Sequence, residues 1–365
     1  MAPLRVQEPR PRPLRSSPAH WCRLTAVPAA LALSACAGAE GGAQTLTPGK
    51  KTLELSVNGV ARQAVVHVPT SLPAGGKAPV VLMLHGTSGD GEKFYNISGW
   101  VQKAEAEGFV AVFPSSLTYC LYEDANFDGQ AQADEFTVTT KWADGKLGGP
   151  SQRLCTEAEL AKAPAAVAQK VSSMTVLDDV AFLRALVDKL ASGIAVDPKR
   201  LYVSGFSNGG NMAARLAVEA SDLFAAVGVA GGSLNSPGVS PRPMPVLVSL
   251  GSLDENALNK TGALEDSSDN LTSFPVSEAA TAIPAVGLVV DEFRAALGLS
   301  TVSAVYRLDT VNGKAVAHFA HVGAAPAALH FMVIDGATHQ YPNGTNHPVV
   351  MPDLLWSYFR TATLP

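Results

Sequence analysis

The sequence is poor in charge, in cysteine and in long apolar runs, and each shortage excludes a class of protein. Of the 365 residues, 16% are charged, 7% are aromatic and 47% are hydrophobic, which is typical of a folded domain and excludes a disordered chain. No apolar run approaches the about 18 residues that cross a bilayer. The 27 basic residues are outnumbered by 32 acidic ones. We expect no nucleic-acid partner, because phosphate binding requires a basic surface.

The positive charge is concentrated at the N-terminus. Residues 1–35 hold five Arg and one Glu, which leaves a net charge of −9 on the remainder. A basic, Pro-rich stretch is followed by the short apolar segment 24–35, the layout of an export signal. The last residues, 33–36 (Leu-Ser-Ala-Cys), resemble a bacterial lipobox, which implies cleavage before Cys36 and a lipid on its thiol. The alternative is an ordinary signal peptide that is cleaved nearby.

An exported protein is therefore expected, either as a periplasmic or cell-surface lipoprotein or as a secreted protein. Membrane contact would then come only through a lipid at Cys36, and the sequence does not determine the oligomeric state. Of the four cysteines, Cys22 lies in the signal and Cys36 in the lipobox. The remaining pair, Cys120 and Cys155, is predicted to form a disulfide, since export favours oxidation. Two buried free thiols are the alternative.

Apolar runs and helical patterns alternate along the rest of the chain. The alternating segments 52–58 and 61–68 flank Asn58-Gly59 and predict a hairpin. Continuous apolar runs predict buried strands, and apolar positions at helical spacing predict helices between them. The predicted strands are 78–84, 108–113, 200–204, 225–230, 245–250 and 329–334, and the predicted helices are 98–107, 174–191, 208–220, 286–297 and 350–360.

This order of elements predicts the α/β class, with a mostly parallel central sheet and helices on both faces. Residues 1–35 are interpreted as the signal, 36–50 as a linker and 51–365 as one catalytic domain. Two polar, weakly periodic segments interrupt the alternation, at 115–172 and 255–285. We expect these to be insertions, the first of them a lid-like loop region.

The sequence Gly205-Phe-Ser207-Asn-Gly209 lies between a predicted strand and a predicted helix. A sharp turn in this context strains the serine and presents its hydroxyl, and only small residues fit on either side. The plainer interpretation is a glycine-rich turn with a helix-capping serine. The strand before and the helix after favour Ser207 as a nucleophile.

A nucleophilic serine needs a histidine base and an acid that orients it, and with this turn the chain order is serine, acid, histidine. Asp254 follows the predicted strand 245–250, and His339 follows 329–334. Since ligand-facing groups collect at the carboxyl ends of parallel strands, we predict a triad of Ser207, Asp254 and His339. The rivals are Asp335 or Glu255 as the acid and His347 as the base.

An oxyanion hole should lie beside the nucleophile. The glycine-rich segment 85–91 follows the strand 78–84, where backbone N–H groups can be aimed inward. The backbone N–H groups of Thr87 and Asn208 are predicted to bind the oxyanion. A plain turn at His85-Gly86 is the alternative.

At these motifs the chain resembles the polyhydroxybutyrate depolymerase and feruloyl esterase group of α/β-hydrolases. The resemblance rests on Leu84-His-Gly86, Gly205-Phe-Ser-Asn-Gly-Gly210, Gly336-Ala-Thr-His-Gln-Tyr-Pro342 and the segments 176–183 and 196–203. It implies an α/β-hydrolase fold and serine esterase chemistry on hydroxyalkanoate polyesters, or on feruloyl or acetyl esters of plant polysaccharide. Family members often have Trp where this chain has Tyr341. Tyr341 is predicted to bind substrate.

The insertion 115–172 carries two further signals. Residues 124–135 match the pattern D-x-[DN]-x-[DN]-G-x5-E of a calcium loop. A Ca²⁺ here would stiffen the lid and take no part in catalysis, which requires no cofactor. The alternative is a solvated acidic loop. The predicted calcium ligands are Asp124, Asn126, Asp128, Gln130 and Glu135. Tyr119 and Trp142 either line an acyl-binding face or pack the lid onto the body.

The sequence therefore predicts an exported serine carboxylic-ester hydrolase whose partner is an ester or polyester substrate. One alternative is a peptidase or amidase that uses the same triad. Another is a non-catalytic lipoprotein that binds a polymer through a degenerate hydrolase fold, but that function predicts a damaged triad.

Overall fold

The computed structural model describes residues 46–72, 76–122, 135–261 and 271–365. A ten-stranded sheet dominates this part of the chain. The strands, in chain order, are β1 (Gly49–Val57), β2 (Val60–Val68), β3 (Ala78–Leu84), β4 (Val110–Pro114), β5 (Leu117–Tyr122), β6 (Phe136–Lys141), β7 (Val196–Phe206), β8 (Ala226–Ala230), β9 (Pro245–Gly251), β10 (Val305–Val311), β11 (Lys314–Val322) and β12 (Ala328–Ile334).

Helices connect most of these strands. They are α1 (Gly91–Ile97), α2 (Trp100–Glu107), α3 (Glu157–Leu160), α4 (Ala165–Ala168), α5 (Asp179–Gly193), α6 (Asn208–Glu219), α7 (Glu255–Thr261), α8 (Pro284–Ala296) and α9 (Met351–Phe359). Single 3₁₀ turns lie at Pro150–Gln152 and Glu278–Ala282. Among the described residues, no helix is both long and apolar enough to cross a membrane.

The sheet order is β1-β2-β4-β3-β7-β8-β9-β12-β11-β10. The six central strands, from β4 to β12, run parallel to one another, and the outer strands on each side are antiparallel. This architecture confirms the predicted α/β-hydrolase fold. The predicted hairpin is also confirmed, with Asn58 and Gly59 at φ +50° and +80° in its turn.

Both faces of the sheet are covered by helices. Because side chains alternate along a strand, Val80 and Leu82 of β3 join one buried cluster, and Val81 joins another. The first cluster includes side chains of α5, α6 and α8, and the second includes those of α1, α2 and α9. This two-sided burial accounts for the continuous apolar runs in the central strands.

The segments outside the predicted alternation are more regular than expected. The hairpin of β10 and β11 was not predicted, and it extends the sheet at one edge. Strands β5 and β6, within the region predicted as a loose insertion, pair with each other in a separate two-stranded sheet. The predicted linker 36–50 overlaps the first strand, which begins at Gly49. Helix α5 begins at Asp179 and not at 174, because the Asp178 side chain caps it there.

The connectivity places the candidate site. Strands β3, β7, β8, β9 and β12 are consecutive neighbours in the sheet and parallel. The loops that leave their carboxyl ends therefore lie side by side along one edge. These loops contain the glycine-rich segment 85–91, Ser207, Gly231, Asp254 and His339, in that order.

Candidate active site

Ser207 occupies the turn between β7 and α6, and its backbone is strained. Its φ of +54° and ψ of −121° lie in a region that non-glycine residues rarely adopt. A Cβ at Gly205 would lie 1.9 Å from the carbonyl oxygen of Gly209, and one at Gly209 would lie 2.3 Å from that of His85. Only glycine fits at either position, which is the physical reason for the Gly-x-Ser-x-Gly pattern.

Three side chains from different strands meet at this turn. The Nε2 of His339 lies 2.9 Å from the Oγ of Ser207. The other ring nitrogen, Nδ1, lies 2.9 Å from Oδ2 and 3.0 Å from Oδ1 of Asp254, whose side chain is only 3% exposed. The structure therefore brings the three predicted triad residues together, in the geometry that lets an imidazole accept a proton from a hydroxyl while a carboxylate fixes the ring.

The rival residues have other partners. The Asp335 carboxylate lies 3.4 Å from the Lys314 ammonium. His347 accepts a hydrogen bond from the Val349 N–H at Nδ1 (3.2 Å), so its Nε2 donates to the Asp335 carbonyl (2.9 Å). Glu255 is not the orienting acid either, since its Oε2 accepts a hydrogen bond from the backbone N–H of His339 (2.9 Å). Glu255 thus fixes the backbone of the loop that carries His339, a role that was not predicted from the sequence.

The predicted oxyanion donors lie on the two loops that flank Ser207. Asn208 is the first residue of α6, where backbone N–H groups have no acceptor within the helix and the helix dipole favours an anion. Gly86 is close on the other side, since a Cβ placed on it would lie 3.3 Å from the Cβ of Ser207. The peptide that joins Gly86 to Thr87 therefore passes beside the nucleophile. The oxyanion role of Thr87 and Asn208 stays a prediction.

His85 holds this peptide in place. Its Nε2 accepts a hydrogen bond from the Ser116 N–H (3.0 Å), so its Nδ1 carries the proton and donates to the Gly86 carbonyl (2.7 Å). Burial lowers the pKa of His85 to about 4, so the ring is neutral in this tautomer at neutral pH. This role of the side chain was not predicted; a histidine directly after a buried strand was the available signal.

The segment that follows β6 is bonded to the helix of the nucleophile. The Trp142 N–H donates to the Asn208 side-chain oxygen (2.7 Å), and the Trp142 indole N–H donates to the His85 carbonyl (2.9 Å). The buried Asp144 carboxylate accepts from the Asn211 side chain (2.9 Å). Part of the predicted lid region is thus a fixed wall of the site.

The three predicted substrate-contacting aromatic residues are buried, so their expected place on a substrate-binding face is wrong. Tyr341 accepts a hydrogen bond from the Trp100 indole (2.9 Å), and burial raises the pKa of its phenol far above the usual value. Tyr119 and Trp142 are fully buried. The alternative interpretation, that the latter two pack the lid onto the body, fits their positions.

The predicted disulfide is confirmed. Cys120 in β5 is bonded to Cys155, with their Cα atoms 5.4 Å apart. Of the predicted calcium ligands, Glu135 is described and buried. The other four, Asp124, Asn126, Asp128 and Gln130, lie outside the described residues, as does Cys36. Within the described ranges, no group of three or more His, Cys, Asp or Glu could hold a metal ion.

Comparison with known proteins gives one family. A sequence profile described as "Dienelactone hydrolase family" matches residues 63–268, a range that contains Ser207 and Asp254 but not His339. A Nocardia uniformis subsp. tsuyamanensis protein named "Putative esterase NocK" is 31% identical over 205 residues, which are 55% of this chain and 47% of that protein. The chain thus spans about half the length of this relative.

Two solved structures share a general likeness. An acetyl xylan esterase from Aspergillus awamori has 14% identity and a TM-score of 0.47, covering 85% of this chain and 99% of that one. An S-formylglutathione hydrolase from Agrobacterium tumefaciens has 13% identity and a TM-score of 0.48, covering 87% and 97%. Likeness at this level does not bear on the activity of the present chain.

Proposed function

Since this chain belongs to the dienelactone hydrolase family, we propose that it is a serine esterase that hydrolyses carboxylic esters through Ser207, His339 and Asp254. The observation that carries the proposal is the pair of short contacts made by His339, 2.9 Å to Ser207 Oγ and 2.9 Å to Asp254 Oδ2. The three side chains follow the ends of three different strands, and Ser207 lies on a strained turn. An intact triad is the opposite of what a degenerate, binding-only domain predicts.

The geometry supports a two-step mechanism. In the first step His339 takes the proton of Ser207 as Oγ attacks the ester carbonyl, and the Asp254 carboxylate stabilises the imidazolium. The N–H groups of Thr87 and Asn208 bind the oxyanion. The alcohol leaves with the proton from His339, and an acyl group stays on Ser207. In the second step His339 deprotonates a water molecule, which releases the acid and restores the serine.

The resemblance at residues 84–86, 205–210 and 336–342 supports a narrower proposal about the substrate. It favours hydroxyalkanoate polyesters or oligomers, or feruloyl or acetyl esters of polysaccharide. Export is proposed on the N-terminal pattern and the lipobox-like sequence that ends at Cys36, and the Cys120–Cys155 disulfide supports an oxidising compartment. Incorporation of labelled palmitate into the wild type but not into a Cys36→Ala variant tests the lipid.

The decisive experiment compares the wild type with Ser207→Ala on p-nitrophenyl butyrate. We expect a loss of at least 10³-fold in kcat with an unchanged circular dichroism spectrum, as in other triads. Substantial hydrolysis by the folded variant would contradict the assignment of Ser207. Asp335→Asn is the matched control, because that carboxylate is bonded away from the triad and its removal should leave kcat within about twofold of the wild type.

A structural Ca²⁺ in the segment 124–135 is proposed on its sequence pattern alone. The ion would brace the insertion and take no part in the chemistry. Melting curves with added Ca²⁺ and with a chelator test the proposal. A higher melting temperature with Ca²⁺, abolished in Asp124→Asn, supports it, and identical curves in the wild type contradict it.

A further inference from the structure

A small cavity of about 80 Å³ lies against the triad on the side of Asp254 and His339. Its lining comes from the loop after β8, the strand β9, residues 254–257, Phe274, the first turns of α8, Phe331 of β12 and His339. Most of the side chains that line it are apolar. Val248, Phe274, Val286, Val289 and Phe331 are among them, and Ser233, Ser249 and Asn256 also line the cavity.

The backbone of residues 230–232 contacts Ser207 at one end and lines this cavity at the other. The Ser207 N–H donates to the Ala230 carbonyl (2.9 Å), and Gly231 and Gly232, which follow, line the cavity. A Cβ on Gly231, where φ is +58°, would lie 3.3 Å from Cε1 of His339, and one on Gly232 would lie 2.9 Å from the backbone of α6. Gly231 therefore leaves the His339 ring uncovered on the side of the cavity, and Gly232 allows close contact with the backbone of α6.

The volume limits what the cavity can hold. A water molecule needs roughly 10–15 Å³ on this measure, and an apolar cavity of about 150 Å³ accepts benzene. A cavity of about 80 Å³ lies between the two, so it has room for a few carbon atoms in a chain but not for an aromatic ring. Apolar walls favour a hydrocarbon group over water.

Resting on the proposed esterase function, we propose that this cavity binds the acyl group of the substrate and restricts it to short aliphatic chains of about two to four carbons. The acyl half stays bonded to Ser207 through both steps, whereas the alcohol must leave before water attacks. The acyl group is therefore the half that needs a binding site throughout the reaction. An aromatic acyl group such as feruloyl does not fit.

Val286 is the position at which this proposal is tested. It lies on α8, lines the cavity and is 2% exposed. Val286→Phe should fill the space and lower the ratio of kcat/KM for p-nitrophenyl butyrate to that for p-nitrophenyl acetate by at least tenfold. Val286→Ala should enlarge the cavity and raise the relative rate on p-nitrophenyl hexanoate. Leu288→Phe on the exposed side of the same helix, where the side chain is 55% exposed, is the matched control and should leave every ratio unchanged.

Each outcome decides the proposal. Unchanged ratios in a folded Val286→Phe variant, or in Val286→Ala if the first variant does not fold, overturn it. So does a preference that follows the alcohol in a series of acetate esters, or faster hydrolysis of methyl ferulate than of methyl butyrate by the wild type. An inactive wild type on all of these esters contradicts the proposed esterase function itself, which separates that failure from a failure of the acyl cavity alone.

Discussion

At the scale of single residues, His85 fixes the backbone of the loop that is proposed to bind the oxyanion. The Gly86 carbonyl accepts hydrogen bonds from the His85 ring and from the Gly89 N–H. These two hydrogen bonds fix the orientation of the Gly86–Thr87 peptide. The two hydrogen bonds of the ring require one neutral tautomer. His85 is therefore a positioning residue, and Thr87 is the proposed donor.

Replacement of His85 by Ala should lower kcat by roughly 10- to 100-fold, less than the 10²–10³-fold cost of removing an oxyanion donor outright. KM for p-nitrophenyl butyrate should change little, because the ground-state carbonyl gains less from the hole than the transition state does. Steady-state kinetics on the purified variant give this split. An increase in KM with an unchanged kcat would contradict the positioning role.

At the scale of elements, a buried ion pair connects the edge hairpin, helix α5 and the segment after β6. The guanidinium of Arg62 in β2 lies 2.6 Å from the carboxylate of Asp179 in α5, with both side chains almost fully buried. The second carboxylate oxygen accepts a hydrogen bond from the Ala143 N–H (2.8 Å), and the guanidinium also lies over the Phe182 ring. Removal of one charge leaves the other buried and unpaired, which is costly.

We expect Asp179→Asn to lower the free energy of unfolding by about 3–5 kcal/mol. The exposed pair of Arg184 and Asp222 provides the control, and Asp222→Asn should cost less than about 1 kcal/mol. Urea unfolding of both variants gives the comparison. Equal losses of unfolding free energy in the two variants would show that the buried ion pair stabilises the fold no more than the exposed one.

The elements that the sequence predicts are those buried on both faces. A strand such as 78–84 has an uninterrupted apolar run because helices cover it on either side. Strand β10 lies at the edge, with Arg307 and Thr310 among its exposed residues, so its pattern is weak. The turn at Asn312-Gly313, with φ of +50° and +78°, is a hairpin signal that could have revealed it.

The same difference applies to the candidate site. Ser207, Asp254 and His339 could be predicted because each follows a recognisable strand and the order of strands determines which ends meet. The cavity could not be predicted, because Phe274, Val286 and Phe331 are distant in sequence and meet only through tertiary packing. The positions of Tyr119, Trp142 and Tyr341 could not be predicted, because a tyrosine or tryptophan looks the same in the sequence whether it packs a lid or contacts a substrate.

At the scale of the whole molecule, buried histidines make the free energy of unfolding fall as the pH falls. Burial lowers the pKa of His85 and of His318 to about 4, below the value of about 6.5 in an unfolded chain. The unfolded state therefore takes up protons first as the pH falls, so stability is full above pH 6.5 and is lost between about 6.5 and 4.

We expect each of these histidines to remove roughly 2 kcal/mol from the free energy of unfolding between pH 6.5 and 5. Urea denaturation at both pH values measures the loss. In His318→Gln the difference between the two values should be smaller than in the wild type, whatever the stability of that variant at pH 7. An unchanged difference would mean that the pKa of His318 is the same in the folded and unfolded states.

The backbone of Ser207 carries a consequence for evolution. Its φ and ψ of +54° and −121° suit glycine far better than serine or alanine. Ser207→Gly and Ser207→Ala both remove the hydroxyl, but only the glycine variant relieves the strain. Its free energy of unfolding, measured by urea denaturation, should therefore exceed that of the alanine variant by about 1–2 kcal/mol. The proposed nucleophile is thus held at a cost in stability, and selection for stability alone would replace Ser207 by glycine.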